Sequence, residues 1–85
     1  MQFDGAVIKE QGVTFAIVVV KHSAVMNNST INSTQHSFQP YFPGMPIVLM
    51  SQDSNGRPTY YGRKDIVNFL ANVFMEQIPW KTYTV

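Results

Sequence analysis

Read as a pattern of apolar and polar positions, the chain opens with two strand-like runs, Ala6 to Glu10 and Val13 to Val20, separated by Gln11-Gly12. A Gly in a two-residue connection supplies the positive φ that a tight hairpin turn needs, so the pair predicts a β-hairpin. In the second run Val13, Phe15, Ile17 and Val19 share one face, and Thr14, Ala16, Val18 and Val20 share the other. Both faces are mostly apolar, which predicts a strand in the middle of a sheet with cover on each side. A third run, Ile47 to Ser51, and a fourth, Arg57 to Tyr61, flank Asp53-Ser54-Asn55-Gly56, a strong turn signal. Pro58 cannot donate to a ladder, so the fourth strand is expected at an edge or with its proline at the margin.

Helical spacing is clearest in RKDIVNFLANVF, where Ile66, Phe69, Leu70, Val73 and Phe74 recur at three- and four-residue steps with Val67 beside them. Lys64, Asp65, Asn68, Ala71 and Asn72 form the outer face, Gly62 is the expected N-cap, and Asp65 suits the positive end of the helix dipole. The stretch VMNNSTINSTQHSF is rich in Asn, Ser and Thr, which bond to their own backbone and weaken helices. Ile31 and Phe38 nevertheless stand seven apart, and so long a link between two buried strands calls for a right-handed crossover joining parallel strands. The spacing therefore predicts a helix over Asn28 to Phe38, with Ser23 to Asn27 as a mobile lead-in. The tail, Pro79 to Val85, alternates as one more short strand.

These elements make one domain, residues 1–85, of the α+β (or α/β) class. They predict a mixed four- to five-stranded sheet with two helices in the order ββαββα(β). If both helices sit on one face of the sheet, the other side of Val13 to Val20 needs a second cover, for which a partner subunit is the obvious source.

Composition narrows the chemistry. With 85 residues, 45% apolar and no Cys, the fold rests on apolar burial, and disulfides, thiolate nucleophiles and zinc–cysteine sites are excluded. Only 13% of residues are charged and the formal charge is +1, which is no electrostatic footprint for nucleic acid and a thin defence against self-association. The opening MQFDGAVIKEQG lacks the basic start and apolar run of a signal peptide, and FAIVVV is too short to cross a membrane. A soluble cytoplasmic protein is expected. On that expectation the N-x-S/T patterns at Asn27, Asn28 and Asn32 read as linker chemistry.

In PYFPGMPIVLM, Pro40 to Met50, three prolines precede a buried-strand pattern. They lower the entropy of the unfolded chain and are expected to steer Tyr41 and Phe42 under the sheet. The rival use is a rigid ligand loop formed by Tyr41, Phe42, Met45 and Pro46. The segment GMPIVLMSQDSNGRPTYYGRKDIVNFLANV is similar to the C-terminal half of thioredoxin-like domains. There a proline opens a buried strand, a hairpin returns through a Gly, and an amphipathic helix closes on the sheet. The resemblance covers about a third of the chain. It implies a cis bond before Pro46, a βα unit starting at Phe15 to Val20, and a motif loop at Lys21 to Val25. No Cys stands in that loop, so the family's redox chemistry does not carry over. The chain also looks like small uncharacterised proteins of bacteria, a class that implies no activity.

Other constellations are sparse. His22 and His36 lie fourteen apart without carboxylates at ligand spacing, so no metal or other cofactor is expected. Asp4, Glu10, Asp53, Asp65 and Glu76 are scattered, and no G-x-S-x-G elbow or phosphate-cradling Gly loop occurs. GRPTYYGRK places Arg57, Arg63 and Lys64 around Tyr60 and Tyr61, a mixture that can hold single-stranded nucleic acid. Alternation sends the two tyrosines to opposite faces, which argues for packing beneath the helix instead. Trp80 is read as a core or subunit contact. The sequence thus points to a non-catalytic interaction module, not an enzyme, with a homodimer as the expected arrangement. The alternatives are a redox-inactive thioredoxin-like binder of a small ligand or peptide, and a weak single-strand nucleic-acid binder.

Overall fold

The computed structural model describes residues 1–10 and 12–85. The chain forms one five-stranded mixed sheet carrying two α-helices. Its strands are β1 (Gln2–Glu10), β2 (Val13–Val19), β3 (Ile47–Gln52), β4 (Pro58–Tyr61) and β5 (Lys81–Thr84), and its helices are α1 (Asn28–Phe38) and α2 (Lys64–Leu70). Across the sheet the order is β4-β3-β2-β1-β5. Only β2 and β3 are parallel, with Ala16 opposite Ile47, and α1 makes the crossover between them. The first hairpin sets Ala6 against Ile17 and Ile8 against Phe15. Of its expected Gln11-Gly12 turn, Gln11 lies outside the described residues, and Gly12 has φ +79.

The two-faced apolar pattern of β2 has its cause in this layout. Phe15 and Ile17 enter one core with Ala6, Val48, Met50, Ile66, Leu70 and Ile78, beneath α2. Ala16 and Val18 enter another with Phe3, Val25, Phe38, Phe42, Ile47 and Leu49, beneath α1. The helices therefore sit on opposite faces, and β2 is covered twice within a single chain. The premise that called for a second subunit, both helices on one face, does not hold.

Several local details depart from the sequence expectations. The lead-in to α1 is a 3-10 turn, His22–Val25, pinned by burial of Val25, where a mobile loop was expected. Helix α2 stops at Leu70, short of Val73 and Phe74. The Asn72 side chain donates to the Asn68 carbonyl (3.3 Å), the acceptor that its own N–H would take in a continuing helix, and that N–H turns to Phe69 instead. Phe74 is left 74% exposed. The N-cap of α2 is Arg63, without a side-chain cap bond, in place of Gly62. Gly62 is committed elsewhere: a Cβ there would lie 3.1 Å from a Val48 methyl and 3.2 Å from the Ile47 carbonyl oxygen. Among the described residues every peptide bond is trans, Met45–Pro46 included, against the cis bond that the thioredoxin-like resemblance implies.

Other expectations match what is seen. Helix α1 spans the expected residues, β4 is an edge strand with Pro58 at its first position, and the tail pairs antiparallel with β1. Asp53 Oδ1 accepts from the N–H groups of Asn55 (2.8 Å) and Arg57 (2.9 Å), and Gly56 takes φ +80 to close that turn. Trp80 packs on the α2-side core and donates from Nε1 to the Met75 carbonyl at 3.1 Å.

Candidate functional site

Helix α1 exists despite its composition because its ends and flanks are tied by hydrogen bonds. Asn27 Oδ1 accepts from the Thr30 N–H (3.0 Å), and Thr30 Oγ1 accepts from the Asn27 N–H (3.2 Å), a reciprocal cap. Further along, the side-chain amide of Gln35 donates to the Ile47 carbonyl (3.0 Å), and that of Gln39 donates to the carbonyls of Phe42 and Met45 (both 2.9 Å). Only Phe38 of the helix is fully buried. An inner ridge, Ile31, Gln35 and Gln39, thus faces the sheet, while the next ridge, Asn28, Asn32 and His36, is exposed.

Both ridges line one wall of a cleft of about 630 Å³. It lies where β4 ends. The pairing of Leu49 with Tyr61 would continue to Ile47 and Arg63, but the chain turns away at Gly62 into α2. The bare side-chain position at Gly62 lets this turn press onto β3, and Ile47, Tyr61 and Gly62 line the cleft between its walls. The second wall is the start of α2, with Arg63, Lys64, Val67 and Asn68.

The electrostatics of the cleft are one-sided. No carboxylate is among its described lining residues, which include Arg63, Lys64 and His36. Arg63 donates from Nε and Nη2 to the two carboxylate oxygens of Asp65 at 2.8 and 2.7 Å. Those charge-assisted bonds hold the Asp65 carboxyl down at about 2 and push the Arg63 guanidinium further up. Among the described residues Lys64 has no ion-pair partner. Burial pushes the Tyr60 phenol up, and its oxygen, shut off from solvent, has no hydrogen-bond partner among the described residues.

The two surfaces expected from the sequence are redistributed. From the proline loop, Phe42 is 3% exposed in the core, Met45 packs against it, and Tyr41 lies 43% exposed with its ring 5.8 Å from that of Phe3. Pro46 alone reaches the cleft. From the basic–aromatic patch, Tyr60, Tyr61, Arg63 and Lys64 line the cleft, whereas Arg57 follows the hairpin turn and does not. Tyr60 packs with the α2-side core and Tyr61 with the α1-side core, so the rings form no shared platform. The wall that sequence reasoning missed is the outer ridge of α1. Its signal was present, since Asn28, Asn32 and His36 recur every four residues of the predicted helix.

Compared with family models, curated proteins and solved structures, the chain matches none.

Proposed function

We propose that the protein is a non-catalytic interaction module that binds through the cleft between α1 and the start of α2. One observation carries the reading: the cleft gathers hydrogen-bonding and basic side chains from α1, the end of β4 and α2 around the apolar side chains of Ile31 and Val67, and the one carboxylate near them, Asp65, is taken up by Arg63. Binding sites combine apolar area with a few placed polar groups in this way. Acid–base chemistry would call for a paired donor and acceptor of suitable pKa at hydrogen-bond distance, and His36 faces no carboxylate there.

The test is to pan a random hexapeptide library against the full chain and to map enriched peptides by amide NMR. Signals of Asn32, Gln35, Tyr61, Gly62 and Lys64 are expected to move. Enriched peptides that move only signals of β5 or of the Tyr41 region overturn the reading. So does a library from which nothing is enriched over a blank surface, when hexathymidylate also leaves the cleft signals unmoved.

Self-association keeps one structural argument in the sheet edge away from the cleft, β5, which like β4 faces no further strand among the described residues. Light scattering at high concentration separates it from the cleft reading: a dimer would form there through β5 and leave the cleft signals unmoved.

A further inference from the structure

We infer that the occupant of the cleft is an extended peptide segment of about five residues, held along α1 by its backbone and bearing one carboxylate that reaches Lys64. This rests on the cleft being the binding surface and adds the chemistry of what fills it.

The length and repeat come from α1. Asn28, Asn32 and His36 stand four residues apart on the exposed ridge, a step of about 6 Å along a helix axis. An extended chain advances about 6.7 Å every two residues and turns the same side of its backbone outward at each repeat. A carboxamide offers one acceptor and two donors, which complements both halves of a peptide group. Among the described residues the side chains of Asn28, Asn32 and His36 make no bond within the chain, unlike Gln35 and Gln39 on the inner ridge. The cleft follows α1 from Asn28 to Gln39, about 16 Å of helix, which accommodates about five extended residues. Ile31 and Val67, both half-buried, supply apolar surface for alternate side chains.

The carboxylate follows from charge. Arg63 is neutralised locally by its two bonds to Asp65, and Lys64 beside it has no such partner among the described residues. An anion arriving in the cleft meets an exposed cation whose one neighbouring acid, Asp65, is already bonded to Arg63. A single carboxylate satisfies it. A polyphosphate chain is the poorer fit, because the net charge is only +1 and the two tyrosines turn to opposite cores.

The experiment uses the isotope-labelled full chain and hexapeptides enriched from the random library. Each peptide is made as the acid and as its amide counterpart, and with N-methyl groups at successive backbone positions. The acid form is expected to bind about fivefold tighter at low salt, with the gap closing as salt is added. Lys64→Ala should erase that gap and Lys64→Arg restore it; both changes are on an exposed side chain and leave the core untouched. N-methylation should weaken binding by at least about fivefold at one parity of positions and little at the other. Acid and amide forms binding equally at the cleft overturn the inferred occupant and leave the cleft as the binding surface. Peptides that map elsewhere overturn both. If hexathymidylate moves the cleft signals and no peptide does, the occupant is nucleic acid and the inference falls.

Discussion

On the α2 side of the sheet, Ile66 and Leu70 drop into a core of Phe15, Ile17, Val48, Met50 and Ile78, and among the described residues the side-chain bonds at this helix stay local, from Arg63 to Asp65 and from Asn72 to Asn68. On the α1 side the core is aromatic, with Phe3, Phe38, Phe42 and Tyr83 ringed together and the Phe3 and Tyr83 rings stacked at 5.1 Å. There the helix contributes little apolar surface and is anchored by hydrogen bonds from Asn27, Thr30, Thr34, Gln35 and Gln39. A seven-residue helix is too short to persist alone, so α2 is held by burial, and α1 is held by polar ties at its ends. That difference frees the outer ridge of α1. A helix that does not depend on a wide apolar stripe can present amides to a groove without weakening its own docking.

The same truncation on the two helices tests this most severely. Ile66, 4% exposed, should lose about 3 kcal/mol on replacement by Ala. Ile31, half-buried at the cleft, should lose only about 1 kcal/mol. Urea unfolding of Ile66→Ala and Ile31→Ala measures both, and equal losses would break the contrast. The polar ties come next. Asn27→Ala should cost about 1 kcal/mol and Asn27→Ser much less, because serine keeps an acceptor for the Thr30 N–H. A thermal melt in which both variants match the parent would mean that the cap does not hold α1.

How far each side was legible in the sequence follows the same division. Burial writes a pattern: the double alternation in Val13 to Val20 announced a central strand, and Ile66, Phe69 and Leu70 announced α2. Ile31 and Phe38, seven apart, were enough to place α1. The end of α2 was hidden because Asn72 competes for a carbonyl, a contest between side chain and backbone that apolar spacing does not record. Which face each helix takes was hidden too, since the crossover after β2 and the turn at Gly62 choose it in three dimensions. The cleft was legible only in fragments. Pro46 on one side and Tyr60, Tyr61, Arg63 and Lys64 on the other were singled out, but as two separate surfaces. Asn28 and Asn32 read as linker chemistry and His36 as a histidine without ligand partners, because nothing local marks a polar ridge as facing a second wall.

A smaller effect sits where the two sides meet. Tyr60 belongs to the α2-side core, and its phenol oxygen is buried without a partner among the described residues. Removing an unsatisfied group of that kind relieves its desolvation cost, so Tyr60→Phe should be neutral or stabilising by about 0.5 kcal/mol. Urea unfolding reads it directly. A loss of about 1 kcal/mol or more would show that the hydroxyl is bonded, which would give the α2 side a polar tie of its own and blur the contrast.

The last effect is electrostatic and concerns the rim of the cleft. The side-chain bonds from Arg63 hold the Asp65 carboxyl at about 2, below an unfolded-chain value of about 3.9. A depressed carboxyl binds fewer protons folded than unfolded, so its contribution to stability is present above pH about 4 and fades as the pH falls towards 2. Both partners are exposed, and salt should weaken the contribution further. In Arg63→Ala the Asp65 carboxyl should titrate near the ordinary carboxylate value, read from its side-chain carbon shift by NMR. The variant should also lose less stability than the parent between pH 4 and pH 2. If Asp65 already titrates normally in the parent, Arg63 is not tied down and the cleft rim carries two free cations instead of one. The α2 wall would then attract anions more strongly than a lone Lys64 can, and the division of labour between the walls would shift from hydrogen bonding along α1 towards charge.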